Sequence, residues 1–169
     1  MLTVRGETPE DIPAIYHINT AAFGRPNEAD LVDALRQHNA LAISFVAVKD
    51  RHLVGHIAFS LVTITSDTAT IEALGLAPLA VLPAYQRRGI GSQLVDAGLT
   101  ACHHTPYGVV VVLGHPHYYP RFGFVPAKPL GIVWEHDAPE EAFMVQEIKA
   151  GALTHTRGVV KYRPEFATV

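Results

Sequence analysis

The residues whose types and spacing most clearly indicate a binding site form one short run, Gln86-Arg87-Arg88-Gly89-Ile90-Gly91. It stands between an apolar segment that ends at Leu82 and an amphipathic stretch that begins at Ile90. The first turn of a helix leaves N–H groups without partners, and the helix dipole adds positive charge there. Two glycines let the backbone approach an anion closely, and the two arginines add charge nearby. The spacing therefore predicts a diphosphate site.

Two commoner nucleotide-binding loops do not fit this run. A Rossmann fingerprint requires a third glycine, and Leu94 occupies that position. A Walker A loop requires Gly-Lys followed by Ser or Thr, a sequence that the chain does not contain. The phosphate loop is therefore of another kind.

A second motif lies further along, where residues 118–124 read Tyr-Tyr-Pro-Arg-Phe-Gly-Phe. Together with Gln-x-x-Gly-x-Gly after a Leu-Ala-Val strand, it resembles the GNAT N-acetyltransferase superfamily, whose acetyl-CoA signature and later tyrosine element occur in this order. Three further segments, at residues 22–25, 114–116 and 151–166, are similar to a bacterial subgroup, the YhbS-like proteins. The resemblance covers nearly the whole chain.

This resemblance implies an α/β fold with a mixed sheet. The sheet is expected to be central, twisted and mostly antiparallel, with a parallel, splayed pair of fourth and fifth strands and helices on both faces. It also implies acetyl-CoA as the acyl donor and no metal. The residues expected to bind acetyl-CoA are Leu79, Ala80, Val81, Arg87, Arg88, Gly89, Ile90, Gly91 and Ser92.

Three residues are expected to act in catalysis. The resemblance implies that the Leu79 N–H contacts the thioester oxygen, where negative charge develops during acyl transfer. Tyr119 holds the family's general-acid position and would protonate the departing thiolate, although an exchange of roles with Tyr118 stays open. Glu72, near the start of the fourth strand, is the best-placed carboxylate to act as a base through water. Tyr119 has a structural alternative as a packed core aromatic, and Glu72 has one as a solvated side chain.

Hydrophobic patterns and turn residues predict the elements that hold these residues. We expect strands at residues 2–5, 43–48, 53–64, 71–82, 109–113, 143–148 and 158–162. We expect helices after Thr8, from Asn27 and at 90–103, with a short helix at 117–122 that ends at Gly123. The third helix should bury Ile90, Leu94, Ala97 and Ala101. Because Pro78 has no N–H, the fourth strand should lose ladder pairing there.

Composition limits the class of protein. With 169 residues and a formal charge of −3, the chain suits one domain over residues 1–169, and it lacks the basic patch of a nucleic-acid-binding protein. It contains no apolar segment of membrane-spanning length, and Cys102 alone cannot form an internal disulfide. A cytoplasmic protein that acts on a small-molecule or peptide amine is the expectation.

Other functions stay open at this point. Ten histidines invite a metal-hydrolase hypothesis, but neither His103-His104 nor His115-Pro116-His117 has zinc-site spacing. A catalytically silent CoA-binding or sensory module is the main alternative to an acetyltransferase. The sequence does not reveal the acceptor amine or the oligomeric state, and a homodimer is among the possibilities.

Overall fold

The computed structural model describes residues 1–169, which form nine β-strands and three α-helices. The strands are β1 (Leu2–Gly6), β2 (Leu41–Lys49), β3 (His52–Thr65), β4 (Thr70–Val81), β5 (Val109–Leu113), β6 (Val125–Pro126), β7 (Ile132–Trp134), β8 (Phe143–Glu147) and β9 (Gly158–Lys161). The helices are α1 (Ile12–Phe23), α2 (Asn27–Gln37) and α3 (Ile90–Cys102). Seven short 3-10 helices complete the chain.

The strands are hydrogen-bonded in the order β1-β2-β3-β4-β5-β8-β6, and β9 pairs with both β3 and β7. Antiparallel neighbours include β1 with β2, β2 with β3, and β5 with β8. The pair of β4 and β5 is parallel, as a crossover through α3 requires. The predicted mixed sheet with a parallel fourth and fifth strand is therefore confirmed.

The chain divides into two compact units, each built from separate segments. The first unit contains Met1–Ser60, Ala77–Ala101 and Pro164–Val169, and the second contains Leu61–Leu76 and Cys102–Arg163. Both β3 and β4 contribute residues to each unit. The assignment of a single domain to residues 1–169 stays a prediction.

In the first unit, α1 and α2 pack by apolar side chains that recur at helical spacing. Ile15 of α1 and Val32 of α2 form one buried cluster with Val46 of β2. A second buried cluster joins Leu31 and Leu35 of α2 to other apolar residues of the unit. These contacts fix the two helices that lie between β1 and β2 in the sequence.

Helix α3 differs from expectation in one respect. Ile90 and Leu94 are buried as predicted, but Ala97 and Ala101 are only half-buried, so that part of the predicted stripe is wrong. Gly98 lies beneath the Phe59 ring instead, and a Cβ atom at position 98 would overlap that ring. The absence of a side chain lets the helix approach β3 closely, which shifts the buried face by one residue.

The second unit has a core of its own. Its buried residues come from several strands and the turns between them: Val62, Ile64, Ala73, Val109, Val111, Ala127, Ile132, Phe143, Val145 and Val160. Trp134 and Tyr162 are partly buried against this core. The core holds β5 at its centre, with β4 and β8 as its hydrogen-bonded neighbours.

Candidate functional site

The loop between β4 and α3 is anchored at its start. Gln86 donates a hydrogen bond from Nε2 to the carbonyl oxygen of Val81, at 3.0 Å. The N–H of Leu82 donates to the carbonyl of Val54, at 2.9 Å, and the N–H of Tyr85 donates back to Leu82, at 2.8 Å. The chain therefore leaves β4 through a fixed turn before it reaches the glycines.

The loop backbone then adopts left-handed conformations at two positions. Arg87 has φ of +63° and Gly89 has φ of +81°. A Cβ atom at Gly89 would meet nothing within 4 Å, so glycine is favoured there by conformation rather than by lack of space. Left-handed backbone at a non-glycine residue such as Arg87 is uncommon and often marks a functional site.

Helix α3 begins directly after this turn. The carbonyl of Gly89 accepts a hydrogen bond from the N–H of Gln93, at 3.1 Å, and so closes the first helical turn. The N–H groups of Ile90 and Gly91 lie within that turn, where no acceptor exists inside the helix. Because α3 has 13 residues, its dipole adds to the positive potential at this end.

The two arginines of the loop are both exposed. The guanidinium carbon of Arg88 lies 5.7 Å from the centre of the Tyr85 ring, a cation–π contact that holds this side chain near the turn. N–H groups without an acceptor inside the helix, the helix dipole and guanidinium charge thus converge on one stretch of chain. Such a combination is typical of sites that bind phosphate oxygens.

Strand β4, which leads into the loop, continues beyond the residues that pair with β5. The register joins Leu74 to Val110 and Gly75 to Val111, whereas β4 continues to Val81. The β4–β5 ladder ends at Gly75, before Pro78, which agrees with the expected loss of pairing around Pro78. Along the continuing segment Ala80 is buried, while its neighbours on either side are half-buried.

The second unit contains the tyrosine motif. Tyr119 begins a 3-10 helix that ends at Phe122, and Gly123 follows with φ of +100°, which confirms the predicted left-handed cap. The Tyr119 ring packs edge-on against Phe124, with centroids 5.8 Å apart. Gly114 lies so close to the Tyr119 ring that a Cβ atom there would overlap it. The ring position is therefore fixed on two sides.

Burial governs the acid–base behaviour of this phenol. Tyr119 is 9% exposed, and burial, followed by the neighbouring Tyr118, raises the pKa of Tyr119 well above its ordinary value. The phenol consequently keeps its proton throughout the physiological pH range. A group of this kind can donate a proton or a hydrogen bond but does not act as a resting-state base.

Tyr118 has a different environment. It is half-buried, and the guanidinium carbon of Arg121 lies 4.7 Å from the centre of its ring. Phe122 packs edge-on against the same ring, at 5.2 Å. Both contacts use the aromatic faces and edges of Tyr118, which favours a packing role for this residue.

Glu72 is exposed on β4, two residues before the first pair of the parallel ladder. Gly114, which contacts Tyr119, lies after the end of β5. The carboxylate and the phenol predicted for acid–base work are therefore at opposite ends of the paired segment. A base at Glu72 would need water molecules to reach a distant proton, as the sequence-based hypothesis assumed.

Sequence reasoning missed one residue of this unit, Tyr162. Its ring covers Gly75 of β4, and burial followed by the proximity of Tyr119 raises the pKa of Tyr162 well above its ordinary value. No local motif marks the residue, because its partners are remote in the sequence. Only the pairing of β9 with β3 carries it to this place.

The histidines and the cysteine form no separate centre. No group of three or more His, Cys, Asp or Glu side chains is arranged to hold a metal ion. His115 and His117 contact each other with ring centroids 5.7 Å apart, and both are exposed. Cys102 is fully buried, and burial raises the pKa of its thiol to about 12, so the reactive thiolate is scarce.

Comparison with known families decides the class of protein. The family described as "Acetyltransferase (GNAT) domain" matches residues 3–127 of this chain. The chain belongs to the GNAT acetyltransferase family. The resemblance seen in the two sequence motifs is thereby confirmed, and so is the prediction of an N-acetyltransferase.

Two curated relatives of this GNAT chain come from Escherichia coli strain K12. The uncharacterised N-acetyltransferase YhbS is 34% identical over 166 residues, which are 98% of each chain. The uncharacterised N-acetyltransferase YjhQ is 37% identical over 152 residues, covering 86% of this chain and 84% of YjhQ. Membership of the YhbS-like subgroup is therefore confirmed.

Solved structures agree with the fold. The structure of E. coli YhbS in complex with CoA superposes with a TM-score of 0.90, covering 98% of this chain and 91% of YhbS. A GNAT acetyltransferase from Brucella melitensis, in complex with acetyl-CoA, has a TM-score of 0.80, 34% identity and 98% coverage of both chains. The predicted GNAT fold is confirmed. None of the helices has the length and apolar character needed to cross a lipid bilayer.

Proposed function

We propose that this GNAT protein transfers the acetyl group of acetyl-CoA directly to a primary amine of a small molecule, a peptide or a protein. The observation that carries the proposal is the turn from Arg87 to Gly91, whose left-handed residues Arg87 and Gly89 lead directly into the first turn of α3. Relatives that are 34% identical have been solved with CoA and with acetyl-CoA. Acetyl-CoA, with its diphosphate, has the chemistry that this turn suits.

In this proposal the loop binds the diphosphate of acetyl-CoA. The N–H groups of Gly89, Ile90, Gly91 and Ser92 face the phosphate oxygens, and Arg87 and Arg88 supply charge. Main-chain groups of Leu79, Ala80 and Val81 bind the pantetheine arm beside β4. The Val81 carbonyl already accepts from Gln86. Its second lone pair is therefore the acceptor available to the arm.

The reaction begins when the neutral amine attacks the thioester carbon. A C–N bond forms and negative charge develops on the thioester oxygen, which the N–H of Leu79 stabilises. One such donor contributes about 2.7–4 kcal/mol to lowering a barrier of this kind. When the intermediate collapses, the C–S bond breaks and the electron pair stays on sulfur, while the former amine nitrogen gives its extra proton to solvent and becomes the amide nitrogen.

Tyr119 then gives its phenolic proton to the departing thiolate. Support for this assignment comes from the burial of the phenol and from its raised pKa, which keep the proton in place until sulfur becomes basic. The contact with Gly114 holds the ring in one orientation, which a proton donor requires.

Glu72 is proposed as the base that removes a proton from the incoming ammonium group through water. A lysine-like amine has a pKa of about 10.4, so forming its neutral form at pH 7 costs roughly 4–5 kcal/mol. A solvent-exposed carboxylate such as Glu72 can accept that proton by way of ordered water. No metal takes part in this scheme.

The setting of the reaction is part of the proposal. We place the protein in the bacterial cytoplasm, because Cys102 is a lone thiol and the relatives come from Escherichia coli and Brucella melitensis. Neither nucleic acid nor membrane is a proposed partner. A homodimer is compatible with the proposal but is not required by it.

Calorimetric titration with acetyl-CoA tests the proposal, with Gly89→Ala as the main variant and Gly151→Ala as its control. Both glycines are left-handed, at φ of +81° and +85°, and neither would place a Cβ atom within 4 Å of another atom. The two substitutions therefore impose the same strain, of about 1–2 kcal/mol. We expect acetyl-CoA binding to weaken at least tenfold for Gly89→Ala and to be unchanged for Gly151→Ala.

Transfer is then measured as thiol release with a panel of primary amines. Tyr119→Phe should slow release about 100-fold or more and leave acetyl-CoA affinity unchanged, since only the proton donor is lost. Failure of the folded native protein to bind acetyl-CoA would overturn the proposed function. Binding without release for any amine would favour a silent CoA-binding module.

A further inference from the structure

The side chain of Gln146, on β8, reaches the 3-10 helix that begins at Tyr119. Its Nε2 atom donates a hydrogen bond to the carbonyl oxygen of Phe122, at 2.8 Å. Phe122 is the last residue of that four-residue helix. The last carbonyls of a helix have no donor inside it, and a helix this short has few bonds of its own. Gln146 therefore fastens the end of the helix to the sheet.

The glycine of the tyrosine motif makes this contact possible. Gly123 has φ of +100°, which favours glycine, and a Cβ atom at position 123 would overlap Nε2 of Gln146. The residue therefore ends the helix with a left-handed cap and also leaves room for the amide. A side chain at position 123 would displace the amide from Phe122.

Gln146 lies on the face of the sheet that Tyr119 covers. The register pairs Gln146 with Val110 of β5, and the bond from the N–H of Gly114 to the carbonyl of Ala142, at 2.9 Å, continues that pairing. Paired residues share a face, and every second residue of a strand returns to it, so Gln146, Val110 and Gly114 point to one side. The Tyr119 ring lies where a Cβ atom of Gly114 would project. The helix is therefore held on this face at its first residue by the ring and at its last residue by the amide.

The amide of Gln146 has only one favourable orientation. With its nitrogen and oxygen exchanged, two carbonyl oxygens would face each other across the contact with Phe122. The Oε1 atom is consequently directed elsewhere, where it is buried and has no hydrogen-bond partner. A buried acceptor of this kind costs stability, which the bond to Phe122 offsets only in part. Stability alone therefore does not favour glutamine over leucine at this position.

We propose that Gln146 is a positioning residue for Tyr119, whose amide holds the end of the 3-10 helix so that the phenol keeps the orientation needed to give its proton to the thiolate of CoA. The inference rests on the proposed function, in which Tyr119 is the acid. No proton passes through Gln146, which donates to Phe122 throughout the reaction. A displacement of about 1 Å in a reacting group can slow a reaction 100-fold, so this tether acts on the rate of transfer rather than on cofactor binding.

Kinetics with acetyl-CoA and a responsive amine give the first test. Gln146→Leu should lower kcat at least tenfold, leave KM for acetyl-CoA unchanged, and have no further effect when Tyr119→Phe is present. Thr156→Val is the control, since it removes another bond from a side chain to a carbonyl in the same unit, from Thr156 Oγ1 to Ala152, at 2.7 Å. That variant should keep the native kcat. An unchanged kcat in Gln146→Leu, or equal slowing in both backgrounds, overturns the proposal.

A spectroscopic test does not depend on turnover. Fluorotyrosine is placed at position 119, and its fluorine signal is compared in native protein, Gln146→Leu and Gln146→Glu. A carboxylate has no donor for the Phe122 carbonyl, whereas a protonated carboxyl has one O–H, and burial raises the pKa of a carboxyl. The signal of Gln146→Glu should therefore match that of Gln146→Leu at pH 8 and that of the native protein at pH 5.

Two results of the fluorine experiment overturn the proposal. One is a signal in Gln146→Glu that coincides with the native signal at both pH values, and the other is a signal that differs from it equally at both. If no amine is acetylated, the proposed function fails, while the fluorine signals still decide whether Gln146 positions Tyr119.

Discussion

The Nε2 atom of His56 lies 2.8 Å from the Oγ atom of Ser44, within a buried chain of polar groups. Nδ2 of Asn19 donates to the carbonyl of Ile15, at 3.0 Å, and its second hydrogen points to Nδ1 of His56, at 3.1 Å. Nδ1 is thus the acceptor, so the imidazole proton lies on Nε2 and is donated to Ser44. Ser44 in turn donates to Glu7. Neutral His56 is therefore the form that the folded protein requires.

Acid should destabilise the protein through this histidine. His56 is fully buried, and burial lowers its pKa from 6.5 to about 4. In the unfolded chain the ring takes up a proton below pH 6.5, whereas in the folded protein it stays neutral down to about pH 4. The contribution of His56 to the free energy of unfolding is complete above pH 6.5. It decreases by about 3 kcal/mol as the pH falls from 6.5 to 4. Urea unfolding at several pH values across this window measures it.

His56→Gln is the control for that experiment. Glutamine keeps one donor and one acceptor but takes up no proton, so the variant should be less stable at pH 7 and lose part of the slope between pH 6.5 and 4. Carboxylates away from this chain of polar groups contribute equally to both proteins at the acid end. Glu7 is part of the effect, because burial raises its pKa while Arg36, Ser44 and, in part, His56 lower it overall. An identical slope in the variant would contradict the assignment of this pH dependence to His56.

Gly114→Ala should impair transfer more than it impairs binding. A Cβ atom at position 114 overlaps the Tyr119 ring, so the phenol must move from its present position. We expect a loss of stability of about 1–3 kcal/mol from overpacking and a reduction in kcat of at least tenfold. Thermal unfolding and thiol release measure the two effects.

Gly6→Ala provides the matched comparison. Its Cβ atom would lie 3.9 Å from Phe45, an ordinary van der Waals contact, and Gly6 belongs to β1. That variant should retain stability within about 1 kcal/mol and keep its rate of transfer. If Gly114→Ala retained full kcat, Tyr119 would not need the orientation seen here.

The local sequence was sufficient to predict those structural features that depend on residues close together in the chain. The turn from Gln86 to Gly91, the bounds of β5 and the left-handed cap at Gly123 were all predicted, because glycine, proline and hydrophobic runs determine them locally. Resemblance to the GNAT family supplied the fold and the donor.

The rest depends on contacts between distant parts of the chain. The short strands β6 and β7 carry too few residues to show a period of two, so neither was predicted. Gly98 gave no sign that it would replace Ala97 on the buried face, since the reason is the Phe59 ring of another element. Tyr162 was missed for the same reason, because Gly75 is remote in the sequence.

Cys102 should be inert in the folded protein. Its side chain is fully buried, and burial raises the pKa of the thiol to about 12. Disulfide reagents attack the thiolate, so labelling at pH 8 should be slow in the native protein and rapid in guanidinium chloride. Rapid labelling of the native protein, or loss of acetyl transfer upon modification without unfolding, would show that the thiol is reachable.

The last step of the proposed mechanism to test is the removal of a proton from the amine by Glu72. The alternative is that Glu72 is only a solvated side chain. If Glu72 accepts the proton of the amine through water, Glu72→Gln should lower the rate of transfer about 100-fold at pH 7. The deficit should shrink at higher pH, because the free amine then becomes abundant without help. Affinity for acetyl-CoA should not change. Glu141→Gln, which removes another exposed carboxylate of the same unit, is the control. If both variants transfer acetyl groups as fast as the native protein throughout the pH range, bulk water is the base and Glu72 is only a solvated side chain.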